Sequence, residues 1–283
     1  MENTPRENIL RFPPPAASRP IGDHLRIWRQ RRRRSQLDLA LDAEISQRHL
    51  SFIESGRATP SREMVLRLAE TLEVPLRERN VLLLAAGFAP FYPERPLDDP
   101  SLTAARSIVE AILRAHGSNP ALAVDRRWNL VLANDAVAPL LTGVTDASLL
   151  QPPVNALRLS LHPNGMAPRI ANLPEWRHHV LERLRRQVEA SADPALEALL
   201  VELTTLGGHA APMREPPDPG VALPLELDTP VGRLSLISTS TIFGTPTEVT
   251  LSELIIEAFY PANAETAERL RLLTTQAEAA ARA

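Results

Sequence analysis

The chain has 283 residues, of which 44% are hydrophobic and 23% charged, a composition typical of soluble globular proteins and long enough for two domains. It contains no cysteine, which excludes disulfides and thiol catalysis, and no apolar run that would predict a membrane span or a secretion signal. We therefore expect a cytoplasmic protein. The net charge is −3, yet residues 1–90 hold 15 arginines against 11 acidic residues, while the remainder holds 16 against 23. A basic N-terminal region followed by an acidic remainder favours a nucleic-acid contact confined to one end of the chain. The sequence contains no lysine, so every cationic side chain other than histidine is an arginine.

The first hundred residues predict a tail, a helical domain and a linker. Residues 1–20 are rich in proline and polar side chains, so we predict a flexible tail there. Residues 21–90 carry apolar side chains at helical spacing, broken by short polar turns. Capping serines and helix-starting prolines mark five helices, which begin near Ile21, Ser35, Ser46, Pro60-Ser61 and Pro75. Residues 91–100 are crowded with proline and are interpreted as the linker.

Residues 101–283 predict an α+β domain. The predicted helices cover 102–116, 174–206 (split at Asp193-Pro194) and 263–282. The predicted strands cover 121–125, 129–133, 221–228, 232–240 and part of 248–260. Asn134 is expected to cap a helix, and the proline-rich stretch 212–219 to form a loop. We expect an antiparallel sheet from these strands, with helices covering one of its faces.

A helix-turn-helix pattern lies in the helical domain. Two short helices share one apolar side, so packing that side on the first helix turns the polar face of the later helix outward. That face begins with Gln47 and Arg48, which suit bidentate hydrogen bonds to adenine and guanine in the major groove. Gln36 opens the preceding helix, where amide donors and the positive helix end suit a phosphate.

Residues 21–88 resemble the XRE family of Cro/repressor-type helix-turn-helix proteins. The resemblance lies in the order of Gln36, Ala40, Ser46, Gln47, Glu54, Gly56, Arg57 and Pro60. It implies that Gln36 and Arg57 contact phosphate, that Gln47, Arg48 and Phe52 face base edges, and that Arg29 and Glu54 form a buried ion pair. Ser46 and His49 complete the candidate DNA-binding set, although His49 suits an ordinary surface position equally well. Glu44 stands where the family usually has glycine, and Phe52 where a polar residue is common.

The chain after residue 90 resembles the MmyB-like regulators. The matching stretches are 123–136, 161–165 and 243–254. The resemblance implies a PAS-like domain that binds an apolar small molecule such as a fatty acid. Arg158 and His162 are the candidate anchors for its carboxylate, and Trp128 is a candidate ligand contact that suits a core position as well.

We find no spacing that predicts a catalytic triad, a phosphate loop or a metal site. His178 and His179 are adjacent and point to different sides of a helix, so they cannot chelate one metal. The leading hypothesis is a homodimeric DNA-binding regulator of a palindromic operator, controlled by a small apolar ligand. One alternative is a regulator whose second domain is a protein-interaction or dimerisation module without a ligand. The other is an enzyme fused to a DNA-binding domain.

Overall fold

A computed structural model describes residues 19–206 and 222–282 of the chain. Most of the predicted tail (1–18) and the predicted loop at 212–219 lie outside the described residues. The chain divides into two compact units between Pro93 and Glu94. The predicted fold class is confirmed, because a helical unit is followed by an α+β unit with PAS-like character.

The first unit is built from five helices. They are α1 (Ile21–Arg31), α2 (Gln36–Asp42), α3 (Gln47–Glu54), α4 (Arg62–Thr71) and α5 (Leu76–Ala85). The hydroxyl groups of Ser35, Ser46 and Ser61 each accept a hydrogen bond from a backbone N–H in the first turn of the following helix. These serines fix where α2, α3 and α4 begin, as the sequence predicts.

The core of the first unit holds α3 against α1. Leu25 and Trp28 of α1 are buried together with Leu50 and Ile53 of α3. The two helices approach so closely that a Cβ atom at Gly22 would lie 2.5 Å from the backbone oxygen of Ile53. A larger residue at this position would push α3 away, so Gly22 helps to set the position of α3.

The turn between α2 and α3 uses a glutamate where a glycine is common. Glu44 has φ +55°, in the left-handed region. The N–H of Glu44 donates to Leu41 O, and the N–H of Ile45 donates to Ala40 O, which is the hydrogen-bond pattern of a Schellman motif. The sequence predicts a cost of about 1 kcal/mol if the turn requires positive φ, and the turn does adopt it.

The second unit is a five-stranded antiparallel sheet with helices. Its strands are β1 (Ala121–Val124), β2 (Leu130–Ala133), β3 (Leu225–Thr229), β4 (Gly232–Ile242) and β5 (Ile255–Pro261), in the spatial order β2-β1-β5-β4-β3. Its helices are α6 (Thr103–Ala115), α7 (Ala156–Leu161), α8 (Leu173–Ser191), α9 (Pro194–Thr205), α10 (Val249–Glu253) and α11 (Ala264–Arg282). The predicted hairpin, the break between α8 and α9 and the terminal helix are all present.

One sheet face and the two long helices α8 and α9 enclose the main core of this unit. Leu225 pairs with Leu236, and Leu227 with Leu234, so these four leucines lie on the same face. They pack in one cluster with Val180, Leu184, Leu196, Leu199 and Leu203. The leucine alternation in β3 and β4 therefore predicts the core-facing side correctly.

The expectation that helices cover only one face is wrong at the centre of the sheet. Ala123 of β1 and Ile256 of β5 point to the opposite face and pack there with Val109 and Leu113 of α6. Both strands are short and almost continuously apolar, which is typical of strands buried on both sides.

Asn134 does not cap a helix. Its Oδ1 accepts a hydrogen bond from the Ala121 N–H at 3.0 Å, and its Nδ2 donates to Asn119 O at 2.9 Å. The next helical turn begins only after Val137. The side chain instead ties the end of the β1–β2 hairpin to the segment before β1.

Candidate functional site

The outward face of α3 carries the polar residues that the helix-turn-helix pattern selects. Gln47, Arg48 and His49 are exposed, whereas Leu50 is fully buried. Ser46 is exposed too, but its hydroxyl accepts the His49 N–H at 3.1 Å and so serves the start of the helix. The first turn of α3 therefore presents polar side chains on a rigid, capped helix.

Phe52 lies between two arginines. Its ring is half-buried, with the guanidinium carbon of Arg48 5.3 Å and that of Arg57 6.0 Å from the ring centroid. Both distances fall within the range of cation–π attraction. Phe52 thus holds two cationic side chains near the same end of the exposed surface, a role that the sequence pattern does not reveal.

A buried carboxylate joins α1, α2 and α3. Glu54 is 2% exposed and accepts hydrogen bonds from Arg29 Nε at 2.7 Å and from Arg29 Nη2 at 2.9 Å. Gln36 Nε2 donates to the same carboxylate at 2.8 Å, and Arg26 Nη2 donates to the backbone oxygen of Glu54 at 2.7 Å. The structure therefore brings Arg29 and Glu54 together in a bidentate pair.

The electrostatics of this group favour the ionised state. Burial alone would raise the pKa of Glu54, but the hydrogen bonds from Arg29 and Gln36 and the charges of Arg29 and Arg26 lower the pKa below its usual value. The same hydrogen bond raises the pKa of Arg29. Both shifts have the sign of a stabilising ion pair.

Gln36 lies differently from the expectation that its side chain faces phosphate. It is half-buried, and its amide donates inward to Glu54. A phosphate contact by Gln36 stays a prediction, and the amide is already engaged. Arg57 is exposed and lies just beyond the end of α3.

The second unit contains an apolar cavity between the sheet and α8. Its volume is about 120 Å³. This is smaller than the range of about 300–1,000 Å³ that is usual for small-molecule sites. The apolar walls come from the sheet, α7 and α8, and include Leu122, Trp128, Leu157, Trp176, Val180, Leu225 and Phe259.

Trp128 forms part of the wall at a backbone cost. It has φ +66°, which is unusual for a bulky residue and costs of the order of 1–2 kcal/mol. Its indole is 3% exposed and donates from Nε1 to Gln187 Oε1 at 2.6 Å. Packing and this hydrogen bond hold the strained residue, so Trp128 serves both the core and the cavity.

The polar end of the cavity is an ion pair between α8 and β5. Arg183 donates from Nη1 to Glu257 Oε2 at 3.0 Å and from Nη2 to Glu257 Oε1 at 2.5 Å. Arg183 Nη2 also donates to Ser240 Oγ at 2.8 Å, and the guanidinium carbon lies 4.6 Å from the centroid of the Trp128 ring. Glu257 is 3% exposed, so the pair buries a negative charge beside the apolar walls.

Arg158 and His162, the predicted carboxylate anchors, do not line this cavity. Arg158 is paired with Glu202, at 2.5 Å from Nε and 2.8 Å from Nη2. His162 accepts the Asn164 N–H at its own Nδ1, 3.1 Å away, in a turn. The expectation that they anchor a ligand in this cavity is therefore wrong, because their side chains are engaged elsewhere.

The cavity is lined instead by Arg183, Glu257 and His179, none of which the sequence pattern assigns to a ligand site. A signal was present, because Trp176, His179, Val180 and Arg183 recur at helical spacing of three and four and so share one face of α8. Glu257 interrupts the apolar run of β5, which also marks it as unusual.

Within residues 19–206 and 222–282, no group of three or more histidine or acidic side chains is placed to hold a metal ion. Among the helices described there, none is both long and apolar enough to cross a lipid bilayer.

Comparison with known proteins identifies both units. A family model described as a helix-turn-helix domain matches residues 20–82, and one described as an MmyB-like transcription regulator ligand binding domain matches residues 105–273. These families are regulatory rather than enzymatic. No curated protein matches the chain.

One solved structure, described as an RNA-binding light-oxygen-voltage receptor, is 14% identical and has a TM-score of 0.26. The match covers 92% of this chain but 65% of that one, and at this TM-score the likeness carries no argument about fold or function. The family of the chain follows from the family models, because the MmyB-like ligand-binding model spans more than half of the 283 residues. The chain belongs to the MmyB-like transcription regulators and is a DNA-binding regulator with a ligand-binding domain.

Proposed function

We propose that this regulator binds a palindromic operator as a homodimer and that a small apolar molecule in the sheet cavity changes its affinity for DNA. The observation that carries the proposal is the cavity itself, whose walls are apolar and aromatic and whose polar end is a single ion pair. Apolar surroundings with few convergent polar groups are typical of small-molecule sites.

On the DNA side, we propose that Gln47 and Arg48 read base edges in the major groove. Their exposure at the capped start of α3 supports this role, since helix-turn-helix domains place that part of the helix against the bases. Arg57 is exposed just beyond the end of α3 and His49 is exposed in its first turn, which supports phosphate contacts by both beside the same groove. Gln36 would reach a phosphate only with the part of its amide that Glu54 leaves free.

A fatty acid is the ligand class that the family resemblance implies. Its chain suits the apolar walls, but a cavity of about 120 Å³ holds only a few carbon atoms. Binding of a longer chain therefore requires the walls of the cavity to move apart. Such a movement would give the ligand different affinities for two states of the protein, which is the requirement for control of DNA binding.

The small cavity volume also favours a second candidate function. In that alternative the C-terminal unit binds a second copy of the chain or another protein, and no small molecule regulates it. The two functions differ in whether filling the cavity has any effect on DNA binding.

The proposal is tested on the full-length protein. We would extract the denatured protein and identify retained small molecules by mass spectrometry, and then measure thermal melting and operator binding with and without added medium-chain fatty acids. Ala156 lines the cavity, so Ala156→Leu should fill it, abolish the ligand effect and leave DNA binding itself intact. Operator binding that responds equally in the wild type and the filled variant would reject the cavity as the sensing site.

A further inference from the structure

The second half of β4 forms a sheet edge without a partner strand. β4 runs over Gly232–Ile242, but β3 pairs only with its residues 232–236. Residues 237–242 pair with β5 on one side, and within residues 19–206 and 222–282 no strand pairs with their other side. Every second residue of this stretch therefore directs its N–H and C=O groups away from the sheet. We call residues 237–242 the open edge.

The open edge lacks the features that usually prevent edge strands from pairing with other chains. Its sequence reads Ile-Ser-Thr-Ser-Thr-Ile, with no charged residue, no proline and no glycine. Natural edges are commonly blocked by lysine, proline or a bulge, whereas the register of the open edge with β5 is regular. Thr239, Ser240, Thr241 and Ile242 are all exposed, and Ile242 is 66% exposed. The edge is therefore suited to accept a further strand.

A second copy of the chain fits this edge. Two antiparallel strands related by a two-fold axis present the same groups to each other, so one edge can serve as its own partner. The open edge is uncharged, so two copies do not repel each other there. Directly opposite residues of an antiparallel pair lie on the same face of the sheet, and every residue from Ser238 to Thr241 carries a hydroxyl group. A register centred on this stretch therefore sets hydroxyl side chains opposite one another, which is a favourable cross-strand combination.

The open edge also forms part of the cavity wall. Ser238 lines the cavity, and Ser240 Oγ accepts a hydrogen bond from Arg183 Nη2 at 2.8 Å. The wall and the edge are thus the same stretch of β4. A ligand that displaces this wall acts directly on the strand that would pair.

We infer that the open edges of two copies pair in antiparallel fashion and form the interface of the homodimer, which joins the two sheets into one continuous sheet. About two or three residue pairs would each exchange two N–H···O hydrogen bonds across the two-fold axis. The inference rests on the proposed function, which requires a homodimer and makes the adjoining cavity the ligand site.

Lysines on the open edge test the interface. In Thr239→Lys/Thr241→Lys, a register centred on any residue from 239 to 241 places lysines directly opposite each other, where like charges oppose pairing. Both side chains are exposed, so the fold of each copy should persist. We expect sedimentation equilibrium of the full-length protein to show a dimer dissociation constant raised about tenfold or more. Val201→Lys/Thr205→Lys adds the same charge at exposed positions of α9 and should change this constant by less than about threefold.

Cross-linking locates the centre of the interface. The chain has no cysteine, so a single introduced cysteine can form a disulfide only between two copies. At the central residue the two Cα atoms would lie about 4.5–5.5 Å apart, within the span of about 4.4–6.8 Å that a disulfide allows. Rapid oxidation to a covalent dimer should therefore occur at one position only in the series Ser238→Cys, Thr239→Cys, Ser240→Cys and Thr241→Cys. Val201→Cys is the exposed control and should stay monomeric in denaturing gels.

Two outcomes separate this inference from the proposed function. If the wild type is a dimer that Thr239→Lys/Thr241→Lys leaves equally tight, the interface lies elsewhere and the inference is overturned, while the proposed homodimer stands. If the wild type remains monomeric at all concentrations, both the inference and the proposed homodimer are rejected.

Amide hydrogen exchange and the cysteine series cover the remaining cases. Protection of the amides of residues 237–242 should rise with the fraction of dimer, because pairing engages their N–H groups. Protection that is independent of protein concentration shows that the edge is covered within one copy, and it overturns the inference. If the lysine variant does not fold, the cysteine series decides: equal cross-linking at all four positions, or at none, overturns the pairing.

Discussion

Replacing Arg29 with methionine should destabilise the DNA-binding unit severely. Methionine keeps much of the side-chain volume but removes both hydrogen bonds to Glu54 at 2.7 and 2.9 Å. Glu54 is only 2% exposed, and its remaining polar contacts are with Gln36 and with the more distant Arg26, at 3.7 Å. The substitution therefore leaves a buried carboxylate without its main counter-charge.

The expected loss is about 3–5 kcal/mol, the usual cost of breaking a buried pair by removing one partner. A unit of this size has a total stability of only about 4–11 kcal/mol, so much of it would be lost. Amide hydrogen exchange of the full-length protein, resolved by mass spectrometry, measures the change where it occurs. In peptides from α1 and α3 the exchange should accelerate by about 100-fold to several thousand-fold.

Two further variants separate the pair from other causes. In Arg29→Met/Glu54→Leu the unpaired charge is gone, so most of the stability should return. Arg34→Met removes an exposed pair with Asp42, with side chains 35% and 45% exposed, and should cost less than about 1 kcal/mol. The reasoning is refuted if Arg29→Met accelerates exchange by less than about tenfold, or if the double variant is less stable than the single one.

Four other expectations concern the first unit. The pKa of Glu54 is lowered in the folded state, so its contribution to stability is complete above the unfolded pKa of about 4.3. That contribution is lost as the pH falls through the lower folded pKa. If Arg29→Met/Glu54→Leu unfolded in acid just as the wild type does, this expectation would be contradicted. Glu44→Gly should stabilise the first unit by about 0.5–1 kcal/mol, as measured by denaturant titration. Glycine adopts the positive φ of this position without strain, and this gain exceeds the conformational entropy that glycine loses on folding. A loss of stability in this variant would contradict the expectation. Arg48→Ala should cost about 1–3 kcal/mol on the preferred operator and relax specificity at one base pair, as measured by mobility shifts, whereas Arg57→Ala should weaken all sequences alike and reduce the salt slope by about one unit. Phe52→Leu should weaken operator binding about 5- to 30-fold, because it removes the ring that holds Arg48 and Arg57. Phe52→Tyr keeps an aromatic ring and should bind close to the wild type. Equal losses in the two variants would point instead to a direct contact between Phe52 and a base.

The sequence predicts the first unit well because its signals are local. Ser35, Ser46 and Ser61 begin helices by hydrogen bonds to residues only three positions away. The sequence does not predict the inward turn of the Gln36 amide, because its partner Glu54 lies 18 positions away and competes with phosphate for the same donor.

The second unit shows where the reading from sequence fails. The leucines of β3 and β4 give the correct core face, since side-chain alternation is local. The cavity depends instead on which helix covers that face, and Arg183 meets Glu257 across 74 positions of the chain. The sequence makes Arg158 and His162 candidate anchors, but Arg158 is paired with Glu202 and the His162 ring accepts the N–H of Asn164.

The positions of the three tryptophans make the protein its own spectroscopic probe. Trp28 is buried in the first unit, whereas Trp128 and Trp176 both line the cavity of the second, with the Trp128 indole under a guanidinium and Trp176 against an imidazole. Cationic and aromatic neighbours of this kind affect the emission of an indole, so a molecule entering the cavity should change the intrinsic fluorescence of the second unit alone. Trp28 would then act as an internal reference, and Trp28→Phe would isolate the cavity signal. With no cysteine or lysine side chains available for dye attachment, this native emission is the most direct optical readout of cavity occupancy.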